Sequence, residues 1–370
     1  MRTPVVVVTG QSDTGDIGDL LLADGATALV EHHVEGHVVH RTTTVLRRGV
    51  VVKAVSVVEM TNGCPSCAVR EDLVDHLCRL HLRPDVARIA VLLSPWMEPE
   101  PVCVALTRST AARHVAVSAV VATVDTSVWL HQALGDDELD DGRTVAQVVV
   151  GQVEFADVVV LTEAHRDTLA VVRRLAPAAR ITVGVSRFTL ALANLDADAR
   201  RGRGNDPHGS LLAGQPPLEP AGRVRLVEFA ARRPFHPSRL HAAVDLLLEG
   251  VVRSRGRLWL AHLPDMAVGL DSAGGGLLVT RAGKWLAAMT SRELAYVGAE
   301  RRAMADMMWD DRYGDRHTSM TVLVCGADPA EIVSALRGAL LTDAEMGRPQ
   351  DWPRFDDPFG DWHPQEARLA

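Results

Sequence analysis

Seven short apolar runs rich in β-branched residues punctuate the first half of the chain: VVVVTG from Val5, ALVEHH from Ala28, VVVKAVSVVEM from Val50, ARIAVLL from Ala87, AVSAVVATVD from Ala116, ADVVVLT from Ala156 and ARITVG from Ala179. Helical spacing of apolar residues fills the gaps, as in REDLVDHLCRLHL. Strands that are apolar throughout need cover on both faces, and strands alternating with helices build βαβ units. The pattern predicts a doubly wound, mainly parallel α/β sheet over residues 1–195, with the runs at Val50 and elsewhere as buried strands.

From Asp196 to Gly222 the composition turns to Gly, Pro and Arg, as in a linker. A second pattern follows over residues 223–342. Strand candidates RVRLVEFAARRPF, GRLWLAHLP, GGGLLVTRAG and MTVLVCG are interleaved with helix candidates HPSRLHAAVDLLLEGVV, TSRELAYVGAERRAMADMMW and ADPAEIVSALRGALL. This predicts a smaller α+β domain, with Thr290 and Glu293 spaced as a capping box. The tail, residues 343–370, is poor in aliphatics but carries Trp352, Phe355, Phe359 and Trp362, so part of it is expected to dock.

Residues 5–23, VVVVTGQSDTGDIGDLLLA, follow the order strand, glycine loop, helix that cradles phosphate. Gly10 and Gly15 have the separation of a GxxxxGK[ST] loop, yet Asp16 takes the lysine position and Ile17 the hydroxyl position. An acid facing a triphosphate repels it, by roughly 4 kcal/mol for unit charges about 4 Å apart at an effective dielectric near 20. Asp13 and Asp19 add to this. The strand that in a guanine-reading NTPase ends in NKxD ends here with Thr162, Glu163 and His165, and ARIAVLLSPW offers Leu92, Leu93 and Ser94 where magnesium ligands are expected. Binding of GTP is expected to be weak or absent, and hydrolysis slight. The plainer reading is that the glycines only turn the chain.

A second motif is EMTNGCPSCAVREDL. Cys64 and Cys67 in CxxC spacing present two sulfurs to one ion, and zinc wants two more ligands. A redox pair or a bare tight turn are the other readings, with zinc ahead of them. The extra ligands are sought in VEHHVEGHVVH, where His32, His33, His37 and His40 crowd together, read as a loop beyond the second strand; His32 and His33 are preferred. Five cysteines in all make no disulfide framework and fit a reducing cytoplasm. The start MRTPVVVV lacks a signal-peptide pattern, and no run is long enough to span a bilayer. The net charge of −8 argues against broad or direct sequence-specific binding of nucleic acid.

Together these stretches resemble the CobW family of P-loop metallochaperone GTPases over nearly the whole length. NGCPSCAVREDL is similar to the family's NGCxCCxxRxDL, with Ser66 for the middle cysteine, and ARRPFHPSRLHAAV with VVRSRGRLWLA is similar to its C-terminal domain. The resemblance implies a P-loop NTPase-like fold followed by a CobW C-terminal-type domain. The His-His pair, the CxSC motif and the DPFGDWH tail resemble a mycobacterial branch of the family. That branch implies a zinc-responsive adaptor, ribosome-associated under zinc limitation, that recruits a hibernation promoting factor to the ribosome through protein contacts; no membrane is involved. An acidic run, Asp136, Asp137, Glu138, Asp140 and Asp141, is a candidate docking face for a basic factor, or simply a solvated loop. The rival is a zinc metallochaperone GTPase delivering metal to a client, and a weaker third is a metal store.

Overall fold

The computed structural model describes residues 1–12, 14–36, 38–60, 64–204, 211–212 and 214–359. They form two compact units, Met1–Gln132 with Val148–Asp206, and Ala133–Gln147 with Pro207–Ala370. Trp362, and with it the end of the tail, lies outside the described residues.

The first unit is built on one eight-stranded sheet. Its strands are β1 (Thr3–Gly10), β2 (Thr27–Glu35), β3 (Val38–Arg47), β4 (Val50–Val58), β5 (Arg88–Leu92), β6 (Val115–Val124), β7 (Val158–Leu161) and β8 (Arg180–Val183), in the order β4-β3-β2-β5-β1-β6-β7-β8. Strands from β2 through β8 in that order pair parallel, while β2–β3 and β3–β4 are antiparallel. The VVVV run is explained by cover on both faces. Val5 and Val7 join Leu73, Leu77 and Val102 in one core, and Val6 and Val8 join Ile17, Leu21 and Phe188 in another.

Two expectations are corrected here. The run at Val50 is not a buried strand: among the described residues β4 ends the sheet with only β3 as a strand neighbour, and it leaves Val55 and Val57 66% and 67% exposed. The histidine stretch is not a loop either, because β2 and β3 form a hairpin that carries His32, His33 and His40 as strand residues.

The second unit has a five-stranded antiparallel sheet, β9 (Val224–Ala231), β10 (Val251–Trp259), β11 (Met266–Ala273), β12 (Gly276–Lys284) and β13 (Thr318–Cys325), ordered β12-β11-β10-β13-β9. The helix expected through Val252 stops earlier. Gly250 turns with φ +66°, where a Cβ would stand 2.7 Å from the Ala327 nitrogen, and Val251 and Val252 enter β10 fully buried. β11 has no counterpart among the expected strands. Thr290 and Glu293 do form a capping box. Trp352 docks in a cluster with Trp259 and Trp285, and Phe355 packs beside it.

Candidate metal site and phosphate loop

β1 ends at Gly10 and a helix, Thr14–Ala23, starts four residues on, so the loop has the expected order. Gly10 is required there: its φ is +133°, and a Cβ would meet the Thr123 hydroxyl at 2.1 Å. Gly15 and Asp16 are exposed on the first helical turn, where the carboxylate suits the helix N-terminus. Ile17 is fully buried in the core, so the hydroxyl position is turned inward as packing. Asp13 lies outside the described residues.

Neutral hydrogen bonds anchor Gln11 and Ser12 at the start of this loop. Gln11 Nε2 donates to the Pro95 carbonyl (3.0 Å) and to Gln152 Oε1 (2.8 Å). Gln152 Nε2 donates to the Pro95 and Met97 carbonyls at 2.7 and 3.0 Å, and the Thr123 hydroxyl donates to the Ser12 carbonyl. Sequence reasoning missed Gln11 and Gln152, which are 141 positions apart. A lysine able to reach phosphate oxygens is not among residues 10–17. At the base-reading position, Thr162 Oγ1 accepts from the Thr126 N–H and His165 caps the helix Arg166–Leu175. Both serve the fold.

Cys64 is the N-cap of the long helix Pro65–His81, with Pro65 at the first helical position. Its Sγ accepts from the Cys67 backbone N–H at 3.3 Å. Arg70, one turn on, donates to Cys67 Sγ at 3.3 Å. Partial burial pushes the Cys64 thiol up, but hydrogen bonds from Cys67 and Ser66, with the Arg70 charge, outweigh it and leave it below its ordinary value. Cys67 goes the other way, because its thiol is hydrogen-bonded to Cys64 and burial adds to that. Cys64 is therefore the first to ionise, and the N-terminal turn brings a second sulfur beside it. Residues 61–63, including Asn62 and Gly63 of the motif, lie outside the described residues.

The rest of the motif has roles that the spacing alone did not reveal. Asp72 Oδ2 meets His32 Nε2 at 2.8 Å, while its Oδ1 accepts from Arg41. The acid thus clamps the helix to the β2–β3 hairpin, and Leu73 beside it is fully buried. One turn further, His76 Nε2 meets the Thr43 hydroxyl at 2.9 Å.

These contacts divide the expected ligands. Cys64 and Cys67 are together. His32 is buried on the helix-facing side and bound to Asp72, whereas His33 is exposed on the opposite face as the direct cross-strand partner of His40. Period-two alternation forces neighbouring histidines to opposite faces. His37 lies outside the described residues. Among the described residues no group of three or more His, Cys, Asp and Glu side chains is arranged to hold a metal ion. Two thiolates suit zinc, and they leave two of its four positions for other ligands.

Residues 29–180 match the CobW/HypB/UreG nucleotide-binding domain, a match that begins beyond the phosphate loop, and residues 224–340 match the cobalamin synthesis protein cobW C-terminal domain. The chain is 57% identical to zinc chaperone Rv0106 of Mycobacterium tuberculosis, over 98% of its own length and 94% of that protein. An uncharacterized protein of Mycobacterium bovis is similar to the same degree. Zinc-regulated GTPase metalloprotein activator 1 of Dictyostelium discoideum is 26% identical over 82% of this chain and 70% of that protein. A crystal structure of Zn(II)-bound YjiA GTPase from E. coli aligns over 92% of this chain and 100% of that one, at 16% identity and a TM-score of 0.37.

Proposed function

The chain belongs to the CobW family, and from that premise we propose that it is a zinc metallochaperone whose cargo ion docks on Cys64 and Cys67. The observation that carries this is the pair of sulfurs on one helix N-terminus, with Cys64 held below its ordinary pKa by its neighbours. Thiolate is the form that binds zinc, and lowering its pKa lets the ion displace fewer protons at neutral pH. An ion on two protein sulfurs keeps positions open for a client's ligands, which suits transfer. Relatives named as a zinc chaperone and as a zinc-regulated metalloprotein activator support the reading. His32 is assigned to the Asp72 clamp in this reading, and His33 to the outer face. The direct test is zinc content after dialysis against buffer. The wild-type chain should retain about one ion, and the Cys64→Ser plus Cys67→Ser double variant should retain none; equal zinc in both would sink the proposal.

A finer reading is favoured by the lysine-free loop. Without phosphate chemistry, zinc occupancy itself becomes the signal. The chain then acts as an adaptor that recruits a hibernation promoting factor to the ribosome when zinc is scarce, with bound zinc restraining it. Pull-downs from zinc-depleted and zinc-replete cells, alongside the double variant, separate the two readings. Hibernation factor and ribosomal proteins enriched only without zinc favour the adaptor. A metalloenzyme client in their place, with GTP hydrolysis at an ordinary P-loop rate, favours the GTP-driven chaperone.

A further inference from the structure

The eight-stranded sheet closes its two ends differently. At β8 it ends in four residues, with Arg180 ion-paired to Asp196. At β4 it ends in nine, VVVKAVSVV, with no proline, no glycine and one charge, Lys53. The β3–β4 register runs unbroken from Arg47 with Val50 to Val39 with Val58, so no bulge turns the edge away. Val50, Val51, Val52, Val55 and Val57 are 63%, 53%, 41%, 66% and 67% exposed. Edges of monomeric proteins are usually short, charged, bulged or covered, because a long apolar edge pairs with whatever strand it meets.

The sequence of β4 specifies what that strand is. In an antiparallel pair, opposed residues point to the same side of the sheet, so a two-fold axis normal to the sheet must pair residues of like parity. An axis at Ala54 pairs all nine residues: Val50 with Val58, Val51 with Val57, Val52 with Ser56, and Lys53 with Val55. Moving the axis to Lys53 sets two ammonium groups directly opposite each other. Moving it to Val55 leaves Val50 and Val51 beyond the pairing. The register with the most valine contacts is thus also one that takes the two lysines out of direct opposition, leaving them as diagonal neighbours on one face.

We propose that two copies of this chain pair antiparallel through β4 about a two-fold axis at Ala54, joining their eight-stranded sheets into one. A strand from another protein would satisfy the same backbone edge, but the match of β4 to its own reverse singles out a second copy.

The test uses the full chain in analytical ultracentrifugation from about 1 to 100 μM, a range that brackets micromolar self-association. The wild type should sediment as a dimer, and Val55→Lys plus Val57→Lys should raise the dissociation constant at least about tenfold. Both valines are exposed, so the far-UV circular dichroism of that variant should be unchanged. A second variant reads the register. Ala54→Cys should cross-link between copies under oxidised glutathione, because residues on the axis have Cα atoms about 4.5–5.5 Å apart, within disulfide reach. Val50→Cys should not exceed the background of the native cysteines. A monomer across the range, a dimer indifferent to the two lysines, or equal cross-linking at positions 50 and 54 overturns the proposal.

Discussion

At the scale of single residues, Asp72 is where charge and packing meet. Its side chain is 10% exposed between His32 and Arg41, whose own side chains are 2% and 12% exposed. Burial raises its pKa, but the His32 hydrogen bond and the Arg41 charge outweigh that and hold the carboxyl below the usual range. The stability it contributes is therefore present above the unfolded carboxylate pKa and is lost as pH falls through the depressed folded value. Asp72→Asn leaves Arg41 buried without its countercharge, and denaturant titration at pH 7 should show a loss of about 2–4 kcal/mol. His76 acts in a separate window. Burial, then the Arg41 charge, lower it from 6.5 to about 4, so the unfolded chain takes up a proton before the folded one does. Stability should fall as pH drops from about 6.5 toward 4, and His76→Gln should remove about 1–2 kcal/mol of that fall, allowing for the ring's partial exposure. A variant as pH-sensitive as the wild type over that window would show that His76 ionises no differently in the two states.

At the scale of elements, the helix Pro65–His81 joins folding to metal chemistry, because one atom serves both. Cys64 Sγ caps the helix and is also a proposed ligand. Serine caps as well as or better than cysteine but binds zinc poorly, so Cys64→Ser should lose zinc with thermal stability of the metal-free chain unchanged. Cys64→Ala should lose zinc and also about 1 kcal/mol of stability. Equal metal-free melting of the two variants would mean that the sulfur cap contributes nothing. How far such an element is legible in sequence depends on how local its forces are. The capping box at Thr290, the cysteine turn and the order of strand, loop and helix at Gly10 rest on neighbours within a few residues, and they can be read from spacing. The strand β4 and the stop at Gly250 cannot, because burial on a strand depends on what lies beside it, and Gly250 is forced by Ala327, far along the chain. The histidine cluster is hard to read from sequence for a related reason. Four histidines in nine positions look like one ligand set, but a hairpin sorts His32 and His33 to opposite faces. Arg70 and Asp72 were in plain view in the motif, and only the folded hairpin gives Asp72 its partners.

At the scale of the molecule, the chain leaves the first unit at Gln132, returns at Val148 and leaves again after Asp206. The excursion Ala133–Gln147, which includes the acidic run, belongs to the second unit and packs on its β11–β12 turn. The Gly275 N–H donates to the Gly135 carbonyl at 2.9 Å. A Cβ at Gly275 would stand 2.4 Å from that of Asp136, and one at Gly276 would stand 2.6 Å from the Thr144 hydroxyl. Asp141 is ion-paired with Arg143, and Glu138 bridges to Thr144, so part of the acidic run is held in place. No pattern in residues 133–147 foretells this, since the contact spans more than a hundred positions and leaves no period. It has a consequence for dissection of the chain. A cut at the Gly- and Pro-rich stretch near residue 206 strands the excursion with the wrong half, and residues 207–370 alone should show faster amide exchange in β11 and β12 than they do in the intact chain. In the uncut chain, Gly275→Ala should produce the same local signature at a cost of about 1–3 kcal/mol, because the new methyl overlaps Asp136 and one side must give way. Exchange should rise together in residues 133–147 and in the β11–β12 turn, leaving β1 and β6 protected. If exchange rose in the turn alone, the excursion would be resting on the second unit without supporting it, and the fragment 207–370 would then fold as well as the whole.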